Sequence, residues 1–152
     1  MSDTFRVLVT GSRAFPSEDA VWERLAWVLA EELPDGGTLT VVHGDCASGA
    51  DRFARTWCAL PSGDEVIVEE RHPADWTTYG KSAGFRRNAE MVALGADLVL
   101  AFPWPGDRKL SRGTWHCIDT ARAAGLTVEI VPPAGPRFAA GDIAEARRAA
   151  QP

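Results

Sequence analysis

The chain has 152 residues, 45% of them hydrophobic and 24% charged, which is the size and make-up of one globular domain with a core of its own. A net charge of -5 and a pI near 5.2 argue against general affinity for nucleic-acid phosphates, though a local basic cluster is compatible with them. No apolar run approaches the roughly 20 residues of a bilayer span and no signal segment opens the chain, so no membrane association is expected.

Phe5-Arg6-Val7-Leu8-Val9 is a short apolar strand that ends in Thr10-Gly11-Ser12-Arg13. Ser17 then supplies an N-cap and Glu18 and Asp19 an acidic first turn. The helix they open runs to about Glu32, with Val21, Trp22, Leu25, Val28, Leu29 and Leu33 on its inner side, and Pro34-Asp35-Gly36-Gly37 ends it. Leu39, Val41 and Val42 mark a second buried strand, which breaks into the small-residue loop His43 to Gly49. From Ala50 the apolar residues Phe53, Ala54, Trp57 and Cys58 fall at helical spacing, closing near Leu60-Pro61-Ser62-Gly63. Val66-Ile67-Val68 is the third strand, and His72-Pro73-Ala74-Asp75-Trp76 reads as a loop, because Pro73 disfavours helical geometry before it. A helix from about Ser82 to Leu94 stops at Gly95. Leu98 to Phe102 is the fourth strand, Pro103 to Asp107 a loop, Thr114 to Ala124 a helix ended by Gly125, and Leu126 to Val131 the fifth strand. The expected domain is 1–131. Residues 132–152 form a Pro-, Ala- and Gly-rich tail, in which Asp142 and Glu145 resemble a capping box for a last helix through about Ala149.

Short strands alternating with helices predict an α/β fold: a Rossmann-like three-layer sandwich with a parallel sheet of about five strands in the order 3-2-1-4-5. In that order the loops after strands 1 and 4 diverge at neighbouring strand ends, where open parallel sheets bind ligands. The loop after strand 1 brings Gly11, Ser12 and Arg13. The loop after strand 4 brings Ser111, Arg112, Gly113 and Thr114, and Gly44, Asp45, Ser48, Gly49 and Asp51 lie beside them. Glycines allow close backbone approach, hydroxyls and helix N-termini offer donors, and arginine adds charge, so the convergence points to a phosphate or nucleotide pocket. The sequence lacks G-x-G-x-x-G, and a classical dinucleotide site is not expected. Taken singly, the same residues also suit a plain strand-to-helix turn or a helix cap. Lys81, Arg86, Arg87 and Asn88 form a locally basic stretch whose alternative role is a solvated helical face.

Cys46, Cys58 and Cys117 are odd in number and form no C-x-x-C pair, so they read as reduced thiols of a cytoplasmic protein. His43 with Cys46, and His116 with Cys117, match no zinc spacing, and neither a metal nor a resident cofactor is expected. Cys46 near a helix start is a minor candidate for a thiolate. Trp22 and Trp57 fall on core faces. Trp76 and Trp104 lie in loops, where a ring packs as core or lid or stacks on a base.

Val-Thr-Gly-Ser-Arg at 9–13, His-Gly-Asp-Cys-Ala-Ser-Gly-Ala-Asp at 43–51 and His-Pro-Ala-Asp-Trp at 72–76 occur in that order. Gly80-Lys81-Ser82-Ala83-Gly84 with Arg87-Asn88, and Ser111-Arg112-Gly113-Thr114, complete the set. Together they resemble the SLOG superfamily, named for the Smf/DprA DNA-processing proteins and the LOG phosphoribohydrolases, and within it the YspA/cpYpsA-related SLOG family. The resemblance runs from Arg6 to about Val131. It implies a homo-oligomer, a dimer, and a phosphate loop at Ser111 to Thr114. The arginine that serves N-glycosidic hydrolysis in the phosphoribohydrolases would fall on Arg86 or Arg87, whereas their glutamate would fall on Cys117, which is no equivalent acid or base.

The expected function is binding, sensing or processing of a nucleotide or nucleotide-derived small molecule, with N-glycosidic hydrolysis of a nucleoside monophosphate as its most concrete enzymatic form. Gly11, Ser12, Gly113 and Thr114 would meet phosphate and Arg13, Arg87 and Arg112 its charge. Asp45 or Asp51 would meet ribose hydroxyls or act as base, which makes Arg87 and Asp51 the candidate catalytic pair. The alternative is single-stranded DNA binding like that of the DNA-processing proteins, which needs a basic groove and which the acidic balance disfavours.

Overall fold

The computed structural model describes residues 3–133; the helix expected between Asp142 and Ala149 lies outside them. β1 (Thr4–Gly11), β2 (Thr38–His43), β3 (Val66–Arg71), β4 (Leu98–Phe102) and β5 (Val128–Ile130) form one sheet in the order β3-β2-β1-β4-β5. Every pairing in it is parallel. The central strand carries Val7, Leu8 and Val9, all buried, because side chains alternate between two covered faces. On one face Val7, Val9, Val41, Leu100 and Phe102 pack with Val21, Leu25 and Val28 of α1 (Glu18–Glu31) and Ala54 and Trp57 of α2 (Ala50–Cys58). On the other, Leu8, Val42 and Val99 pack with Met91 and Val92 of the helix Ala83–Ala93 and Cys117 and Ala121 of the helix Arg112–Ala123. The result is the expected three-layer α/β sandwich.

Local differences from the sequence reading have physical causes. The 72–76 stretch ends in a one-turn helix, α3 (Trp76–Tyr79), because Asp75 caps it, accepting from the Thr78 N–H at 3.0 Å. A 3-10 turn over Gly80–Ser82 then leads into α4 (Ala83–Ala93). A second 3-10 turn, Arg108–Ser111, fills the loop after β4 and brings α5 (Arg112–Ala123) in two residues before Thr114. β5 is shorter than expected because the Leu126 N–H closes the end of α5, donating to the Ala121 carbonyl at 3.0 Å after Gly125 at φ 80.

The loop after β1 leads to α1 on one face of the sheet, and the loop after β4 leads to α5 on the other. The strand ends therefore splay apart between β1 and β4, and the crevice opens there.

Candidate functional site

A cleft of about 410 Å³ sits in that crevice. Among the residues singled out from the sequence, Gly11, Ser12, Arg13, Gly44, Asp51, Arg87, Asn88, Ser111, Arg112, Gly113 and Thr114 line it. A second cavity of about 380 Å³ adjoins through Arg13, Gly44, Cys46, Trp76 and Arg87, and Asp45 and Ser48 belong to it. Gly49 lines neither. It is the joint at which α2 starts, with φ +71, and a Cβ on it would collide with the Ser12 carbonyl and the Arg13 backbone. Phe85, Leu110 and Met91 complete the first cavity without having been singled out.

The β1 loop is fixed before any ligand arrives. The Ser12 N–H donates to the Phe102 carbonyl at 3.0 Å, and the Ser12 carbonyl accepts from Phe15 at 3.1 Å and Ala50 at 3.4 Å. The Ser12 hydroxyl accepts from the Ala14 N–H at 3.1 Å, and the Ser111 hydroxyl accepts from the Trp104 N–H at 2.7 Å. Each bond uses a hydroxyl lone pair and leaves the O–H proton free to donate, the role an anion requires. The helices reinforce this. Ser17 caps α1 and Asp75 caps α3, whereas α2 and α5, which start at the cleft, receive no side-chain cap. The start of α5, Ser111 to Thr114, lines the cavity and brings its positive dipole end there, whereas at α2 Asp51 alone reaches it and the Ala50 N–H donates to the Ser12 carbonyl.

The cleft is the cationic pole of an acidic chain. Arg13, Lys81, Arg87 and Arg112 line it against the single carboxyl of Asp51. Arg87 is held in place: Nη1 donates to the carbonyls of Gly44 and, at 3.2 Å, His72, while Nε donates to Asn88 Oδ1 at 3.0 Å. Buried Asn88 passes the constraint on, donating through Nδ2 to the Gly113 carbonyl at 3.0 Å. The head of α4 is thus tied to the start of α5 and to the loop after β2. Arg86 does not line the cleft, its guanidinium lying 4.5 Å from the centroid of the Tyr79 ring, so of the two adjacent arginines it is Arg87 that faces the cavity. Arg112 is exposed, and its side chain has no hydrogen bond or ion pair among the described residues. The Asp119 carboxylate pairs with Arg108 at 3.2 Å, and Asp107 accepts from the Lys109 N–H, so neither claims Arg112.

Asp51 is 5% exposed, and its Oδ2 accepts from the Cys46 N–H at 3.2 Å. Burial pushes its carboxyl above the usual range, against the pull of Cys46, His43 and Arg87. Burial and the adjacent Asp51 push the Cys46 thiol up as well, which is the opposite of an activated thiolate. Cys117, on the inner side of α5, is fully buried in the core and its thiol is pushed up by burial. His43 supports the loop from below. Its Nδ1 accepts from the Asp45 N–H at 3.0 Å, which leaves the Nε2–H to donate to Glu69 at 2.7 Å. That contact holds Asp45 at φ 56. No group of three or more His, Cys, Asp or Glu side chains suited to a metal ion is found among the described residues.

The sequence profile of the YspA, cpYpsA-related SLOG family matches residues 5–79, the stretch from β1 through α3. The gene 61 protein of Mycobacterium phage D29 is 44% identical over 124 residues, which cover 81% of this chain and 93% of that protein. No solved structure matches the chain. The profile match covers the first two site loops and the relative spans most of the chain. The chain belongs to the YspA, cpYpsA-related SLOG family.

Proposed function

We propose that the cleft binds a nucleotide or nucleotide-derived small molecule by its phosphate. The observation that carries this reading is the gathering of Arg13, Lys81, Arg87 and Arg112 around the start of α5, which lacks a side-chain cap, at the switch point of an acidic chain. In this reading Ser12, Gly113 and Thr114 meet the phosphate oxygens, Arg13, Arg87 and Arg112 neutralise them, and Asp45 or Asp51 accepts from ribose hydroxyls. The protein works in the cytoplasm, where its cysteines stay reduced, and as a dimer, as the SLOG resemblance implies. In a thermal-denaturation panel at millimolar ligand, nucleoside mono- and diphosphates raise the melting temperature and the parent nucleosides do not. A flat panel overturns the reading.

Turnover is favoured by one specific observation, the buried carboxyl of Asp51 in the same cavity as the clamped Arg87. A carboxyl whose pKa burial pushes up is shifted toward the range in which proton transfer is useful, and a fixed guanidinium holds a phosphate while the N-glycosidic bond is cleaved. Release of free base from nucleoside monophosphates, lost in Asp51→Asn, tests it. Single-stranded DNA binding predicts instead submicromolar affinity for oligonucleotides at about 150 mM salt with a steep salt dependence.

A further inference from the structure

We propose that Trp76 is the platform on which the ligand's aromatic ring stacks, so that the cleft selects phosphates that carry a nucleobase while discriminating little among bases. The inference rests on the phosphate reading above and adds the other end of the ligand.

The cleft has a polar floor and an apolar rim. Ser12, Asp51, Asn88, Ser111 and Thr114 are buried, while Trp76, Phe85 and Leu110 are 50%, 47% and 38% exposed. Large apolar side chains left open around one cavity are a binding feature rather than ordinary surface. A ligand that suits both levels is anionic at the inner end and flat and apolar at the outer end.

Of the exposed rings, Trp76 is the one built to stay open. It begins the one-turn helix capped by Asp75, and its indole edge rests on Gly84 in α4, where a Cβ would lie 3.3 Å from Cη2. Glycine is a poor helix former, so its use here makes a seat for the indole. The Arg13 guanidinium lies over the ring, 5.8 Å from its centroid at the outer limit of cation–π contact, and Trp76 still remains half exposed. Trp76 also lines both cavities and so stands between them. Phe85, by contrast, already has one face covered by the His116 ring at 4.2 Å and 15°. The apolar rim side chains carry no acceptor to read a base edge, and stacking tolerates any π face, which is why base preference should be small.

The test is calorimetry with the four common nucleoside monophosphates and with ribose-5-phosphate, on the wild type and on Trp76→Ala, Trp76→Leu and Trp76→Phe. The wild type should bind the four nucleotides within a few-fold of one another and about ten- to a hundredfold more tightly than ribose-5-phosphate. Trp76→Ala and Trp76→Leu should remove that advantage and leave ribose-5-phosphate binding unchanged, and Trp76→Phe should keep most of it. Equal loss for nucleotides and ribose-5-phosphate, or no advantage of the nucleotides in the wild type, overturns the platform alone. If the wild type binds none of these phosphates, the phosphate reading falls and the platform with it.

Discussion

Gly44 has no side chain at the point where the Arg87 guanidinium lies, and its carbonyl accepts a hydrogen bond from Arg87 Nη1. A Cβ on Gly44 would overlap Nη1 and Cζ, so the glycine is what admits the arginine to the floor of the cleft. The pair joins residues 43 positions apart, from the loop after β2 and from α4.

Gly44→Ala should therefore weaken phosphate binding without unfolding the protein, because the displaced group is the far end of a flexible side chain. Gly49→Ala should do the reverse of mild. Its φ of +71 is strained for alanine and its Cβ meets Ser12 and Arg13 backbone that cannot swing aside. The expected loss is about 2 kcal/mol or more of stability, read as a drop in melting temperature, against less than about 1 kcal/mol for Gly44→Ala. Equal melting temperatures for the two variants would contradict this division.

Arg112→Ala should weaken binding of a nucleoside monophosphate about ten- to a hundredfold, since a hydrogen bond to a charged group is worth about 1.5–3 kcal/mol. Its exposed side chain has no partner among the described residues. Stability should accordingly move by about 0.5 kcal/mol or less. A variant that melts much earlier but binds normally would make Arg112 structural.

Asp51→Asn should raise stability at neutral pH while impairing the site. Burial raises the folded-state pKa of Asp51 above its ordinary 3.8, so the folded protein binds the proton more tightly than the unfolded chain does. Its contribution to stability is thus full below pH 3.8 and lost as pH rises through the folded value. The asparagine variant escapes that loss and should melt higher at neutral pH, with the gap closing in acid. A lower melting temperature at neutral pH would show that the Cys46 hydrogen bond and Arg87 stabilise the carboxylate more than burial opposes it.

Glu70 works in the other direction. The Arg6 guanidinium, bound to it at 3.1 and 2.9 Å, and His72 at 2.8 Å hold its pKa down at about 2. Its stabilising contribution is present above the unfolded value of 4.5 and lost as pH falls from there to about 2. Acid unfolding monitored by circular dichroism should be less steep in that window for Glu70→Gln than for the wild type. Identical acid transitions would remove Glu70 from the account.

The strand order and the convergence of three loops were legible because parallel strands buried on both faces read as apolar runs and the helices between them keep their period. What the sequence concealed depends on contacts between distant residues. Arg86 and Arg87 are adjacent, and only the bonds of Arg87 to Gly44 and His72 tell them apart. The His43–Glu69 bond arises from the pairing of β2 with β3, which sets His43 beside Arg71 and Glu69 diagonally across from it, two residues back on β3. Gly49 has the residue type of a ligand contact but serves as a backbone joint, and only its packing on Ser12 reveals this. Phe85 and Leu110 carried no signal beyond being apolar in polar surroundings, although that is the pattern of a cavity rim.

The most direct measurement of the central claim is calorimetric titration of the wild-type protein with each common nucleoside monophosphate and with its parent nucleoside, at low and at moderate salt. A phosphate anchored by Arg13, Arg87, Arg112 and the start of α5 predicts binding of the monophosphates that weakens as salt rises, and affinity at least about tenfold lower for the nucleosides. Equal affinity for a nucleoside and its monophosphate, or no binding of any monophosphate, would contradict it.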